Sequence, residues 1–143
     1  MVQAYHLEDF PPEEFGEGIK RQVRLIMSPY TTGYDKASIV YTVVAPLGIA
    51  EGHVHEESDE IIYFTNAGGI FVLDGEECVV KKNSVVLAPM GSLHECRNTN
   101  RTESLRLFCV FVPALKPYGK YPEIIKKTKL FLQRKSEGEH HGV

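Results

Sequence analysis

Residues 48–68 read GIAEGHVHEESDEIIYFTNAG, and this stretch decides the predicted fold. His53 and His55 are separated by one residue, so on a β-strand their side chains project from the same face. Glu60 opens the next apolar run after a short polar turn, and a hairpin at that turn would bring its carboxylate beside the two imidazoles. If the histidines lie on a strand, the stretch brings two imidazoles and a carboxylate together at one polar site.

A second stretch, residues 89–98, reads PMGSLHECRN and begins another strand directly after a turn. His94 and Cys96 share a face of that strand, so His94 is a candidate third imidazole. Three neutral imidazoles and one carboxylate suit a divalent transition metal ion: Mn, Fe, Co, Ni, Cu or Zn. An isolated HxH pair is more often two unrelated histidines, and it is the second stretch that favours a metal site.

Together the two stretches resemble the two sequence motifs of the cupin superfamily, and specifically its small single-domain members. The first motif, G(X)5HXH(X)3-4E(X)6G, and the second, G(X)5PXG(X)2H(X)3N, are matched at His53, His55, Glu60, Pro89, Gly91, His94 and Asn98. The resemblance covers about residues 35–113. It implies an all-β, double-stranded β-helix (jelly roll) with a metal ion inside one end of the barrel, bound by His53, His55, Glu60 and His94.

The match to these motifs departs from the pattern at turns. Gly48 lies one residue too close to His53, one extra residue precedes Gly68, and Asn83 stands where the second motif opens with glycine. Asn is the next-best residue for a positive φ angle, and an extra residue is accommodated by a β-bulge. Asp59 is a rival to Glu60, but the longer Glu60 side chain and its spacing to Gly68 favour Glu60.

The composition indicates one ordinary globular domain. The chain has 143 residues, 43% hydrophobic and 24% charged, with a net charge of −3, so no overall positive field favours nucleic acid or an anionic membrane. No apolar run is long enough to span a bilayer, and the first residues lack a signal-peptide pattern, so we expect a cytoplasmic protein. Three cysteines without CxxC spacing predict neither a disulfide framework nor a thiolate zinc site.

The β-rich runs occupy the middle of the chain, separated by turn residues such as Asp74-Gly75, a type I′ hairpin signal. They favour a closed or double-sheet β structure, and the predicted strands are 19–27, 36–44, 61–65, 70–73, 77–82, 84–87, 93–97 and 105–112. We divide the chain into an N-terminal arm on the surface (1–17), a β-barrel (18–113), a C-terminal segment (114–135) and a polar tail (136–143).

One helix is predicted in the C-terminal segment. Pro122 suits its first turn, and Ile124, Thr128, Phe131 and Leu132 repeat at helical spacing. We expect this helix to cap an opening or an edge of the barrel. His140 and His141 are expected to belong to a flexible tail and not to a metal site.

Strand alternation also gives candidate pocket residues. If Glu60 faces the metal, then Ile62 and Phe64 point inward, and Cys96 does so beside His94. Arg106 and Phe108 share a face of the last strand, and the pattern leaves open whether that face is the inner one. An inward Arg106 would favour a carboxylate-bearing ligand. The remaining inward positions show no evident base or anion-binding cation.

Three functions stay open at this stage. The resemblance implies a metal-dependent enzyme acting on a small molecule (dioxygenase, isomerase, epimerase or lyase), a binding or sensing module in which the metal anchors a ligand, or an assembly partner with a structural metal. By the same resemblance, we expect a two-fold homodimer.

Overall fold

The computed structural model describes residues 2–15 and 20–116 together with five helical positions, Ile125, Lys126, Thr128, Gln133 and Glu137. A short 3-10 helix, Leu7–Asp9, precedes ten strands. The strands are β1 (Glu13–Phe15), β2 (Arg21–Met27), β3 (Ser38–Val44), β4 (Ile49–Val54), β5 (Asp59–Phe64), β6 (Gly69–Leu73), β7 (Glu76–Val80), β8 (Val85–Ala88), β9 (Leu93–Arg97) and β10 (Leu105–Val112).

The strands form two antiparallel sheets. One has six strands in the order β1-β2-β3-β10-β5-β8, and the other has four in the order β4-β9-β6-β7. Most neighbouring strands, such as β3 and β10 or β4 and β9, are distant in sequence, so the chain crosses repeatedly between the sheets, as in a jelly roll. The all-β jelly-roll prediction is confirmed.

Alternation along the strands separates a core face from an outer face. On β10, Leu105, Leu107, Cys109 and Phe111 are buried while the intervening residues are more exposed. On β3 the alternating Val40 and Val44 face the same interior. Each such side chain stabilises the barrel by about 1.5–3 kcal/mol relative to an exposed position. The two inner faces therefore form one core, into which the polar site is set.

Two predicted turns have the expected backbone. Asp74 and Gly75 have φ angles of 48° and 84°, as a type I′ hairpin requires. Asn83 has a φ angle of 70°, so it adopts the left-handed conformation for which the second motif usually has glycine at its first position. The extra residue before Gly68 is not taken up by a bulge in β6, whose register with both neighbouring strands is continuous. The register shifts lie in β2, between Leu25 and Met27, and in β4, between Ala50 and His53.

The N-terminal arm differs from the expectation of a purely surface segment. Phe10 is only 1% exposed, and the arm ends in β1, which pairs with β2. Its apolar side chains are thus partly used to cover the barrel. The strand β4 is also absent from the predicted runs.

The C-terminal helix is described only in part. Ile125 and Thr128 are helical and buried, and Ile125 belongs to the hydrophobic core. That the helix caps an opening or an edge of the barrel stays a prediction. Pro122, Ile124, Phe131, Leu132 and the pair His140 and His141 lie outside the described residues. No helix among the described residues has the length and apolar character needed to cross a membrane.

Candidate metal centre

Three different strands and one loop bring the predicted ligands together. His53 is on β4, His55 follows directly after it, Glu60 is on β5 and His94 is on β9. His53 pairs across the sheet with His94, because the bulge after Ala50 shifts the phase of β4 by one residue. On a regular strand, residues three positions apart face opposite sides. The bulge removes this difference, so both Ala50 and His53 face the interior.

The four side chains form a compact cluster. One ligand atom from each of His53, His55, Glu60 and His94 lies within 4.8 Å of all the others. Oε1 of Glu60 is 2.9 Å from Nε2 of His94 and 3.3 Å from Nε2 of His55. His55, Glu60 and His94 are buried, while His53 is half-buried at the edge. This donor set of three imidazoles and a carboxylate fits a divalent transition metal ion.

Loops next to the cluster hold its backbone in place. The backbone N–H of Gly91 donates to the carbonyl oxygen of His55 at 2.9 Å, which joins the second motif to the first. Asp59, the rival carboxylate, accepts a hydrogen bond from the backbone N–H of Met90 at 2.7 Å. Asp59 thus fixes a loop, and the structure places Glu60 in the cluster.

The orientation of His53 is fixed by its own strand. Nδ1 of His53 lies 2.7 Å from the carbonyl oxygen of Glu51, so this nitrogen carries the proton and donates it. The tautomer leaves Nε2 with its lone pair. A hydrogen bond of this kind orients a ligating imidazole and raises its basicity toward a metal ion.

The electrostatics of the cluster favour neutral imidazole at His53 and an ionised carboxylate at Glu60. Burial, reinforced by the neighbouring histidines, lowers the pKa of His53 to about 4. Burial alone would raise the pKa of Glu60, but hydrogen bonds from His55 and His94 outweigh it and lower that pKa to about 2. Near neutral pH these two groups are in the protonation states that metal binding requires.

A cavity of about 240 Å³ adjoins the cluster. Its walls are mostly apolar and include Val23, Val40, Ile62, Leu107 and Phe111 beside all four candidate ligands. At about 30 Å³ per molecule in the liquid, the volume corresponds to roughly eight waters, which fits a small molecule below drug size. The His/Glu cluster and the cavity are therefore one continuous site.

The predicted pocket residues divide into two groups. Ile62 and Cys96 line the cavity, whereas Phe64 is fully buried in the core and does not line it. Arg106 and Phe108 are exposed on the outer face of β10, because alternation gives the inner face to Leu105, Leu107 and Cys109. Their proposed place in the pocket is corrected accordingly.

Two cavity residues were missing from the prediction. Arg21 on β2 and Phe15 on β1 both line the cavity, and the Arg21 guanidinium lies 5.2 Å from the centre of the Phe15 ring. The expectation of no inward arginine was therefore wrong. Alternation with the buried Val23 and Leu25 was the available signal for an inward Arg21.

Two thiols, Cys96 and Cys109, line the cavity beside the candidate metal ligands. Burial, together with the nearby Glu60 carboxylate, raises the pKa of both well above its usual value. They act as small, neutral lining groups beside the imidazoles.

Comparison with known proteins agrees with this architecture. The pectin degradation protein KdgF of Dickeya dadantii (strain 3937) is 28% identical over 94 residues, covering 65% of this chain and 79% of that protein. A predicted oxalate decarboxylase from Thermotoga maritima shares the fold with a TM-score of 0.65 and 22% identity, covering 79% of this chain and 100% of the other. KdgF from Halomonas sp. has a TM-score of 0.65 and 14% identity, covering 81% and 97%.

The family assignment follows from the sequence match that spans both motifs. A family model described as a cupin domain matches residues 40–111, from the interior of β3 to the last but one residue of β10. This is half of the chain, and it includes all four residues of the His/Glu cluster. The chain belongs to the cupin family.

Proposed function

We propose that this cupin binds a divalent transition metal ion at His53, His55, Glu60 and His94 and acts there as a metal-dependent enzyme on a small molecule. The observation that carries the proposal is the convergence of three imidazoles and one carboxylate, within 4.8 Å, at the wall of a cavity. A purely structural metal site is closed by protein ligands, whereas here the cluster adjoins space for a ligand.

When bound, the metal would supply Lewis acidity toward an oxygen atom of the substrate, or redox chemistry if it is Fe, Mn or Cu. The chain itself supplies binding and orientation. Glu51 holds the proton of His53 at Nδ1, and the apolar walls formed by residues such as Ile62 and Phe111 exclude water.

The similarity to KdgF of Dickeya dadantii supports a reaction on a carbohydrate-derived molecule, since that protein is named for pectin degradation. The reaction types that the proposal covers are those of a dioxygenase, an isomerase or a lyase. The similarity is a guide to substrates for testing, while the geometry of the cluster carries the proposal.

One observation favours a second candidate, a non-catalytic cupin that binds or senses a small molecule through its metal. Apart from the four candidate ligands, the ionisable groups among the described cavity residues are Arg21, Cys96 and Cys109. An arginine and two thiols of raised pKa are poor general bases. Turnover would then depend on the metal and its ligands.

Metal analysis of the purified protein, coupled to mass spectrometry of co-purified small molecules, tests the proposal. We expect about one transition metal ion per chain, and consumption of O₂ with a catechol, a flavonol or a β-diketone would identify a dioxygenase. Metal content with a stable, unchanged co-purified ligand would favour the binding protein. A protein that binds none of the six metals after incubation with each would overturn both candidates.

A further inference from the structure

Arg21 is the one lysine or arginine among the described residues that line the cavity. Arg21 lies on β2 opposite Phe15 on β1, and both residues line the cavity that adjoins the His/Glu cluster. Both are half-buried, so the guanidinium is partly removed from water and still accessible from the cavity. An arginine at such a position requires a physical explanation, because a charge that loses hydration must gain a partner.

Within the described part of the chain, no carboxylate forms an ion pair with Arg21. The guanidinium carbon of Arg21 lies over the Phe15 ring, 5.2 Å from the ring centroid, which is within the range of a cation–π interaction. Stacking on an aromatic ring holds the planar guanidinium while leaving its N–H donors free to bind an anion. Arginine presents these donors in a fork that matches the two oxygens of a carboxylate.

Arg21 and the His/Glu cluster line the same cavity, an arrangement that suits a ligand with two polar ends. Arg21 and Cys96 both line the cavity, and Cys96 is two residues from His94 on the inner face of β9. Apolar side chains, including Val23, Val40 and Ile62, line the same cavity as these two polar groups. With a divalent cation bound, positive charge exceeds the single carboxylate of Glu60, and this field attracts an anion.

We propose that Arg21, stacked on Phe15, is the residue that selects the ligand of this site, and that the ligand is a small carboxylic acid with a second oxygen atom for the metal. The proposal rests on the proposed function, because Arg21 would bind one end of a ligand whose other end is bound by the metal ion at the His/Glu cluster. Arg21 acts in binding and specificity, and the apolar walls accommodate the short carbon chain between the two polar ends.

The test uses the full-length protein loaded with Co²⁺ and four oxo acids of increasing length: pyruvate, 2-oxobutyrate, levulinate and 5-oxohexanoate. The primary amide of each acid serves as its uncharged counterpart. Binding is measured by titration calorimetry and by the change in the visible spectrum of Co²⁺. We expect at least one acid to bind at least tenfold more tightly than its amide.

Three variants test whether Arg21 causes the preference for acid over amide. Arg21→Gln should lose the preference for acid over amide and keep its Co²⁺ content, whereas Arg21→Lys should keep part of the preference because the charge remains. Arg106→Gln removes the same charge from the exposed face of β10 and should leave binding unchanged. Thermal unfolding of each variant shows whether it is folded. If Arg21→Gln does not fold, the acid-over-amide preference is compared between the wild-type protein and Arg21→Lys.

The outcomes separate this inference from the proposed function. Failure of the wild-type protein to bind Co²⁺ would refute the metal site. Normal Co²⁺ binding with no preference for any acid, or a preference that Arg21→Gln and Arg21→Lys retain in full, would overturn the role of Arg21 alone. Loss of the preference in Arg106→Gln would likewise overturn it.

Discussion

Oε1 of Glu60 lies 2.9 Å from Nε2 of His94, although the two residues are 34 positions apart in the chain and belong to different sheets. Both side chains are buried, at 5% and 2% exposed. Two polar groups so far from water are stable only when they are paired with each other or with a shared ion. The contact joins the two sheets at the end of the barrel where the candidate metal ligands converge.

Replacing this carboxylate by an amide gives the sharpest test of the metal ligands. We expect Glu60→Gln to weaken metal binding at least tenfold, because the neutral amide lacks the charge that a divalent cation prefers. The neighbouring Asp59→Asn is the matched control, since Asp59 bonds to the backbone of Met90 outside the cluster. Competition titrations against a coloured chelator measure both affinities. Equal losses in the two variants would contradict the assignment of Glu60.

Removal of an imidazole should have a similar effect. We expect His55→Ala and His94→Ala each to lower metal occupancy at least tenfold while the barrel stays folded, because the apolar core is unchanged. His6→Ala is the control, since His6 is exposed in the N-terminal arm. Elemental analysis gives the occupancy, and circular dichroism shows whether the strands persist. Full occupancy in both cluster variants would refute the site.

Local spacing predicted the β-rich class and the shared site of His53, His55 and Glu60, whereas the jelly roll and the inclusion of the distant His94 were implied by the resemblance to the two cupin motifs. His53, His55 and Glu60 are close in sequence, and alternation on short strands determines where such side chains point. The strand β4 was harder to predict, since its bulge and Gly52 interrupt the alternation on which a strand prediction depends.

The cavity wall depends on contacts between distant segments, which spacing does not reveal. Alternation alone could not tell which face of β10 is inward, so Arg106 and Phe108 stayed ambiguous until Leu107 was found to be buried. Arg21 was missed because arginine usually faces solvent. The prolines beside the short strand β1 likewise concealed that Phe15 pairs with Arg21. The predicted homodimer and the cytoplasmic location stay predictions.

The metal-free protein should lose stability in mild acid. The pKa of His53 falls from 6.5 to about 4 on folding, so between these values the unfolded chain binds the proton and the folded chain does not. Stability is then complete above pH 6.5 and declines as the pH falls to 4, by about 2 kcal/mol once partial solvent screening is allowed for. The lowered pKa of Glu60 extends the decline from 4.5 toward 2.

Urea unfolding of the EDTA-treated protein at pH 7, 5.5 and 4.5 measures this decline. The variant His53→Gln removes the titrating ring and should show a flatter dependence between pH 6.5 and 4. The same slope in both proteins would show that other groups cause the acid sensitivity. The measurement requires metal-free protein, since bound metal adds its own loss of affinity as protons compete for the ligands.

The last motif residue, Asn98, should serve stability and not chemistry. Its side chain is 3% exposed, and Nδ2 lies within 3.1 Å of the carbonyl oxygens of Val44, Ala45 and Glu103. Oδ1 accepts hydrogen bonds from the backbone and side chain of Asn100. We expect Asn98→Ala to lower the free energy of unfolding by about 2–3 kcal/mol, because buried carbonyl oxygens lose their donor.

The variant Asn98→Asp separates the hydrogen bonds from the shape of the side chain. Aspartate has nearly the same shape but presents oxygen where Asn98 presents an N–H₂ group, so an ionised carboxylate would face the carbonyl oxygens of Val44 and Ala45. We therefore expect Asn98→Asp to destabilise the protein at least as much as Asn98→Ala, with metal content per folded chain unchanged in both. A nearly wild-type unfolding midpoint for Asn98→Asp would mean that shape alone is required at this position.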